Sequence, residues 1–354
     1  MLNTIWFLLV AVLITVYAIL DGFDLGVGNL HLFAKTEEER GIFIKAVGPT
    51  WDGNEVWLLT GGGALFAAFP PVYATVFSGF YLAMMLVLVA LIMRAAALEF
   101  RNKVESPTWK GFFDKLFFLG SFLASVLFGV AVGNLMRGIP IDQGGTFTGT
   151  FLGLLNPYSV FMGILSLSMF TLQGATYLTL RVGGGLRERV SAWAMRLWAA
   201  FVVVYLTAAL WTFGVSPHLY HRYSAAKWHW VSIVLFVAAA AALPVFLKKG
   251  KYAQAFACSS LSIAGLTSTL ALAAFPMLAP SSTNLEFSLT AFNASSTDLT
   301  LKTMLILALV GVPIVIAYTI YIYTVFKGKV DGKILKGEFV TERGAREATG
   351  KKIN

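Results

Sequence analysis

Long apolar stretches alternate with short polar segments along almost the whole chain. Each stretch is long enough for an α-helix to cross the hydrocarbon core of a bilayer, which takes about 20 residues. The pattern therefore predicts nine membrane-spanning helices, over about residues 4–31, 53–70, 72–97, 115–136, 155–180, 193–214, 229–247, 252–277 and 300–326. Residues 327–354 are rich in Lys, Gly, Glu and Thr without apolar periodicity, which predicts a polar tail.

Prolines and glycines indicate where the spans end and how they pack. Phe69-Pro70-Pro71 divides one long apolar stretch into the second and third spans, because paired prolines cannot continue a helix. Asn156-Pro157 opens the fifth span. Gly22 and Gly26 in the first span, and Gly61-Gly62-Gly63 in the second, leave narrow helix faces that favour close contact with a neighbouring helix.

The composition agrees with a helical membrane protein. Of the 354 residues, 57% are hydrophobic and 13% are charged, and the mean hydropathy is +0.74, outside the range of ordinary soluble domains. We therefore expect an all-α polytopic fold with one transmembrane domain over residues 1–326. The order of the helices is compatible with two four-helix bundles plus one peripheral helix, although no internal sequence repeat marks a duplication.

The basic residues are distributed unevenly between the loops. If the N-terminus lies outside, all of the 27 Lys and Arg residues fall on the inner side except Arg137, Arg222, Lys227 and Lys302. This asymmetry follows the positive-inside rule, so we expect the N-terminus outside and the C-terminal tail in the cytoplasm. The same rule accounts for the net charge of +9, and we expect no nucleic-acid partner.

Four acidic residues lie where the first span ends and the second begins: Asp21, Asp24, Asp52 and Glu55. Carboxylates at the edge of the hydrocarbon are costly, and those that occur there usually serve a proton or cation path. Under the predicted topology both pairs lie at the inner side, on spans joined by a loop of about 20 residues. We therefore predict a proton path from the cytoplasm through Asp21, Asp24 and Asp52, with Glu55 as a further candidate.

Structural roles are the alternative for these side chains. Asp52 and Glu55 have the spacing of a capping box, in which Asp52 would accept from the amide of residue 55 and Glu55 would reach back. Arg94, at the inner end of the third span, could instead form an ion pair with one of the acids. Trp57 lies a full turn into its helix, where it could line a path or, as is more common, pack in the core.

Residues for redox or metal chemistry are scarce. Cys258 is the only cysteine, and the four histidines (His31, His218, His221 and His229) lie near predicted span ends. No pair of them is set opposite each other within spans, as haem ligands would be, and no Cys, His and carboxylate cluster has metal-ligand spacing. We expect no catalytic residue, no metal site and no cofactor-binding residue on this chain itself.

Six segments carry a resemblance to a known family. They are DGFDLGVG at 21–28, WDGNEVWLLTGGGALFAAFPPVYATVFSGFY at 51–81, GVAVGNLMRGIP at 129–140, LLNPYS at 154–159, TLQGATYL at 171–178 and FPMLAPSST at 275–283. In this order, over nearly the whole chain, they resemble subunit II of the bacterial cytochrome bd quinol oxidases.

The resemblance implies a respiratory terminal oxidase of the bacterial inner membrane that oxidises quinol and reduces oxygen to water. It implies a partner, subunit I, that carries the b haems, haem d and the quinol site. Subunit II would support that partner and pass cytoplasmic protons toward the oxygen-reducing haem. Small single-helix accessory subunits, and a structural quinone or lipid, are further expectations.

The resemblance also suggests roles for single residues. The family carboxylates fall on Asp21, Asp24 and Asp52, and the family tryptophan near a proposed oxygen route falls on Trp57. Glu55 stands where some members have Gln, which argues against an essential charge there. Two other functions stay open: a proton- or cation-coupled secondary transporter, which also needs membrane carboxylates, and a purely structural assembly subunit.

Overall fold

The computed structural model describes residues 1–217, 219–220, 229–326 and 328–330, and these residues are mostly helical. The helices are α1 (Leu2–Leu30), α2 (Glu37–Val47), α3 (Trp51–Ala68), α4 (Pro70–Gly79), α5 (Tyr81–Phe100), α6 (Pro107–Arg137), α7 (Phe151–Leu154), α8 (Pro157–Arg181), α9 (Gly184–Val215), α10 (Trp230–Lys248), α11 (Tyr252–Ala274) and α12 (Asp298–Val325). Two short strands, β1 (Met277–Ala279) and β2 (Leu289–Thr290), precede the last helix.

Within the described residues, eight helices are long and apolar enough to cross a membrane, namely α1, α5, α6, α8, α9, α10, α11 and α12. The fold is therefore that of a polytopic all-α membrane protein. The second of the nine predicted spans corresponds to α3, a helix of 18 residues. It lies outside the set of eight, since its first turns carry Asp52, Asn54 and Glu55, which lower its hydropathy.

The predicted third span, over about 72–97, is divided into α4 and α5. The amide of Phe80, between them, donates to the carbonyl of Val76 at 2.8 Å, and its own carbonyl accepts from the amide of Met84 at 2.7 Å. The hydrogen-bonded chain thus continues through a kink. The kink follows Gly79, where a Cβ would lie 2.5 Å from the ring of Phe147, so the bend coincides with a close approach that only glycine permits.

Two elements that the hydropathy pattern did not predict lie at opposite ends of the bundle. Helix α2 lies within the loop expected between the first two spans, and the hydroxyl of Thr36 caps it by accepting from the amide of Glu39. We call this end, where α1 ends and α3 begins, the α2 end. At the other end β1 pairs antiparallel with β2, and we call it the hairpin end.

Helix α1 lies at the centre of the packing, against α3, α6, α8 and α11. At its crossing with α8, a Cβ on Gly26 would overlap the carbonyl of Phe170 and lie 2.7 Å from the amide nitrogen of Gly174. The two backbones therefore touch, as in small-residue contacts between membrane helices. Helix α12 differs from the central helix α1, because no residue of its most apolar stretch is buried. This exposure agrees with the peripheral position expected for the ninth helix.

The grouping into two four-helix bundles and the direction of insertion stay predictions. Several residues used above lie outside the described part of the chain: His218, His221, Arg222, Lys227, and the polar tail apart from residues 328–330.

Candidate functional site

Helix α1 carries Asp21 and Asp24 into the interior of the bundle, where both side chains are fully buried. The two residues lie on adjoining faces of the helix, because residues three apart are neighbours around an α-helix. Gly22 belongs to the same turn, and its surface is taken by the Phe170 ring of α8. Gly22 thus lets α8 close over this turn.

Asp21 forms an ion pair with Arg94 of α5. The guanidinium Nη1 donates to Oδ1 of Asp21 at 2.5 Å, and Nη2 donates to Oε1 of Glu55 on α3. Arg94 is fully buried, whereas the Glu55 side chain keeps 25% exposure. Asp21 and Glu55 therefore share one cation, and the alternative in which Arg94 pairs with an acid is confirmed for both residues.

The predicted capping box at Asp52 and Glu55 is wrong. The N-cap of α3 is Thr50, which makes no side-chain capping hydrogen bond, and Asp52 lies exposed in the first turn. Glu55 turns instead toward Arg94. The guanidinium adds the attraction of an opposite charge to the hydrogen bond, which a neutral helix amide cannot supply.

Asp24 has a different environment from Asp21. Its Oδ2 accepts from Nδ2 of Asn54 at 2.7 Å, and Oδ1 of Asn54 accepts from the hydroxyl of Tyr323 on α12 at 2.8 Å. The other oxygen, Oδ1 of Asp24, makes no hydrogen bond within the described residues. No ion pair to Asp24 occurs there either. Asp24 is therefore a buried carboxyl group held by a neutral amide.

Trp57 lies on the same buried face of α3 as Asn54, one turn closer to the hairpin end. It is 5% exposed and belongs to an apolar cluster with Leu13 and Tyr17 of α1. Its indole nitrogen makes no hydrogen bond in the described part of the chain, and neither does the hydroxyl of Tyr17. The side chain packs in the core, and a part in an oxygen route stays a prediction.

A second charged cluster, which the sequence reasoning missed, lies at the α2 end. Asp114 of α6 accepts from His31 Nε2 at 2.5 Å, from Arg101 Nε at 2.5 Å and from Arg40 Nη1 at 3.3 Å. His31 and Arg101 are almost fully buried. Because these residues come from four separate parts of the chain, no local spacing could have indicated the cluster.

Ion pairs also fasten α2 to the bundle. Glu37 pairs with Arg101 at 2.9 Å, and Glu39 pairs with Nη2 of Arg189 at 2.5 Å. Partial burial raises the pKa of Glu39, but Arg189 and the Lys35 amide, which donates at 2.6 Å, lower it by more. The net result is a pKa below the usual range for a glutamate.

Residues suited to bind a metal or a haem are not brought together in the described segments. No group of three or more His, Cys, Asp and Glu side chains could hold a metal ion there. Nε2 of His31, which is fully buried, is already bonded to Asp114, and Cys258 is a buried free thiol. Nε2 of His31 is therefore not free to bind a haem iron.

Comparisons with known proteins agree over the length of the chain. A family model described as cytochrome bd terminal oxidase subunit II matches residues 2–326. The chain is 38% identical over 360 residues to cytochrome bd-I ubiquinol oxidase subunit 2 of Escherichia coli K12, covering 93% of this chain and 95% of that protein. It is 36% identical over 364 residues to a probable cytochrome oxidase subunit 2 of Haemophilus influenzae, covering 94% and 96%.

A solved structure shows the same fold. The bd oxidase from Geobacillus thermodenitrificans contains a chain that superposes with a TM-score of 0.76, covering 92% of this chain and 98% of that one. The two sequences are only 15% identical, so this likeness concerns the fold alone.

Proposed function

Because this chain belongs to the family of cytochrome bd terminal oxidase subunit II, we propose that it supports a haem-bearing subunit I and supplies cytoplasmic protons to it. The complex would be a quinol oxidase of the bacterial inner membrane, with the b and d haems and the quinol site on the partner. Bound haem would supply the electron-transfer and oxygen chemistry there. The residues of this chain would hold and move protons.

The direction of insertion follows from the charge distribution. With the N-terminus outside, the α2 end faces the cytoplasm, in agreement with the excess of Lys and Arg in the loops at that end. Asp52 is exposed at this end, and we assign it the capture of protons from the cytoplasm. Asp24 lies deeper, and we assign it the next step.

The observation that carries the proposal is the contrast between Asp24 and Asp21. Both are fully buried, but only Asp21 has a cation beside it. A buried charge without a partner is costly to keep, whereas Arg94 stabilises the charged forms of Asp21 and Glu55. Of the acids named from the sequence, Asp24 is therefore the buried one best suited to take up and release a proton.

Asp21 and Glu55 have a supporting part in this proposal. Their ion pairs with Arg94 join α5 to α1 and α3, the helices that carry Asp24 and Asp52. This geometry favours, for these two residues, the purely structural interpretation that the sequence left open. The transporter interpretation has no comparable support, because the chain belongs to an oxidase family.

The test uses the complete oxidase complex, purified with all its subunits. We expect Asp24→Asn to slow quinol-driven oxygen uptake per haem by about a hundredfold or more, the lower end of what a proton-transfer group contributes. Asp52→Asn should slow it less, since an exposed collector can be bypassed by solvent. The control is Asp298→Asn, an exposed acid in the first turn of α12 at the hairpin end.

Haem spectra separate the possible outcomes. Full turnover by Asp24→Asn with a normal haem content would remove the proton path and leave family membership untouched. Loss of haem and of subunit I from the purified complex would instead indicate that Asp24 is structural.

A further inference from the structure

A chain of side-chain hydrogen bonds connects the peripheral helix α12 to Asp24. The Tyr323 hydroxyl donates to Oδ1 of Asn54 at 2.8 Å, and Nδ2 of Asn54 donates to Oδ2 of Asp24 at 2.7 Å. Asn54 is 1% exposed, so both contacts are shielded from solvent. The carboxyl group thus depends, through one amide, on a helix whose most apolar stretch is unburied.

Tyr323 is unusual among the tyrosines of α12. Tyr318 and Tyr321 are 61% and 63% exposed, whereas Tyr323 turns inward and packs edge-on against Phe23 of α1, with ring centroids 6.3 Å apart. The helix therefore sends one polar side chain into the bundle, toward Asp24.

A cavity of about 200 Å³ lies beside this tyrosine, and Thr50, Tyr177, Arg181, Tyr323, Phe326 and Gly328 are among the residues that line it. Because one water needs roughly 10–15 Å³ measured in this way, several could fit. The cavity lies at the α2 end, where α8 ends and α3 begins.

The chain just beyond α12 is fastened over this cavity. Nη1 of Arg181 donates to the carbonyls of Phe326 and Gly328, at 2.6 and 2.8 Å. The amide of Val330 donates back to the carbonyl of Arg181 at 2.7 Å. These three hydrogen bonds hold the last turn of α12 against the end of α8, and with it the position of Tyr323.

We propose that Tyr323 is a positioning residue for Asp24 and that this cavity is the cytoplasmic entrance to the Asp24 carboxyl group. The inference rests on the proposed function of Asp24 and adds an entrance to it. Tyr323 acts through the Asn54 amide: while its hydroxyl donates to the amide oxygen, the amide N–H points at the carboxyl group. Without that hydroxyl the amide can turn its oxygen toward Asp24, where it cannot donate.

The first experiment replaces Tyr323→Phe in the complete complex, which removes the hydroxyl and keeps the ring. Turnover should fall about three- to tenfold, the size expected from one buried hydrogen bond. The infrared carboxyl band that Asp24→Asn abolishes should also shift, which a purely structural role of the ring would not cause. Tyr321→Phe, on the exposed face, is the matched control and should change neither quantity.

The second experiment tests the entrance without depending on Tyr323. Thr50→Cys, in a Cys258→Ser background, puts a thiol on the cavity wall, and its turnover is compared before and after reaction with a membrane-impermeant thiol reagent from the cytoplasmic side. We expect labelling to slow turnover at least threefold. Thr108→Cys is the control, because Thr108 is exposed in the first turn of α6 at the same end of the bundle and does not line the cavity.

The outcomes distinguish this inference from the proposed function. If Asp24→Asn stops turnover while Tyr323→Phe and labelled Thr50→Cys behave as their controls do, the entrance lies elsewhere and the inference is wrong, although the proton path stands. If Asp24→Asn is also fully active, both fail. A slowed Tyr323→Phe complex with an unshifted carboxyl band would overturn the positioning role.

Discussion

Removal of the buried cation Arg94 should destabilise the complex strongly. Arg94→Met leaves Asp21 fully buried and Glu55 at 25% exposure with no counter-charge. Breaking a buried ion pair by removing one partner costs about 3–5 kcal/mol. Solvent screens the exposed part of Glu55, so its ion pair with Arg94 contributes less stability than that of Asp21. We expect Arg94→Met to lower the free energy of unfolding by about 4 kcal/mol.

The assay is the midpoint of heat inactivation of the purified complex in detergent. At about 2 °C per kcal/mol for a chain of this size, the midpoint should fall by about 8 °C. The triple variant Arg94→Met, Asp21→Asn, Glu55→Gln removes all three charges together. It should recover more than half of the loss, because neutral groups of similar shape replace the ion pairs at little cost.

Two results would refute this reasoning. A fall of less than about 1 °C in Arg94→Met would mean that the ion pairs contribute almost nothing. A triple variant no more stable than the single variant would mean that the guanidinium stabilises by packing and not by charge.

Three further predictions concern packing and charge away from Asp24. Gly26→Ala should destabilise the complex by at least about 1–3 kcal/mol, because a Cβ there overlaps the backbone of α8. The destabilisation would be measured as a lower midpoint of heat inactivation. Gly62→Ala is the control: a Cβ there meets no atom within 4 Å, so it should be neutral or stabilising by up to about 1 kcal/mol. Asp114→Asn should reduce the amount of assembled, haem-containing complex in membranes, because it removes the carboxylate that accepts hydrogen bonds from buried Arg101 and His31. Glu39→Gln should lower the midpoint near neutral pH, and the difference from wild type should vanish as the pH falls below the ordinary Glu value of about 4.3.

The sign of the Glu39 effect follows from its depressed pKa. The folded state favours the charged form, so the stabilisation is present above the unfolded pKa and is lost as the pH falls through the folded pKa. A difference that grew on acidification would contradict this assignment. Equal midpoints for the two glycine variants, or normal assembly of Asp114→Asn, would contradict the other two predictions.

Much of the fold could be predicted from hydropathy, because a span of apolar residues is a strong local signal. Phe69-Pro70-Pro71 and Asn156-Pro157 marked helix boundaries that the structure confirms at Ala68, Pro70 and Pro157. Helix α2 was not predicted, because its first turn consists of three consecutive glutamates, which do not form an apolar stripe. Its second half buries Ile42, Phe43 and Val47 in the core, but this apolar run is too short to be predicted as a span.

The candidate site was predicted only in part. The positions of Asp21, Asp24 and Asp52 on the chain were enough to name them, because acids are rare in spans. Arg94 could be named as a possible partner, because it is a cation at the inner end of the predicted third span. Tyr323 could not, since it comes from a helix far along the chain. Gly61-Gly62-Gly63 was predicted as a helix contact, but the sequence could not tell which glycine makes it. A Cβ on Gly61 would meet Ile14 of α1 at 2.9 Å, whereas a Cβ on Gly62 or Gly63 would meet no atom within 4 Å.

The central claim, that Asp24 carries protons from the cytoplasm, is tested most directly by proton uptake. The complex would be reconstituted in vesicles, and proton uptake from the cytoplasmic side would be timed after an oxygen pulse. We predict that Asp24→Asn takes up protons about a hundredfold or more slowly than wild type, with Asp298→Asn unchanged. Uptake by Asp24→Asn at the wild-type rate, with its haems in place, would contradict the account.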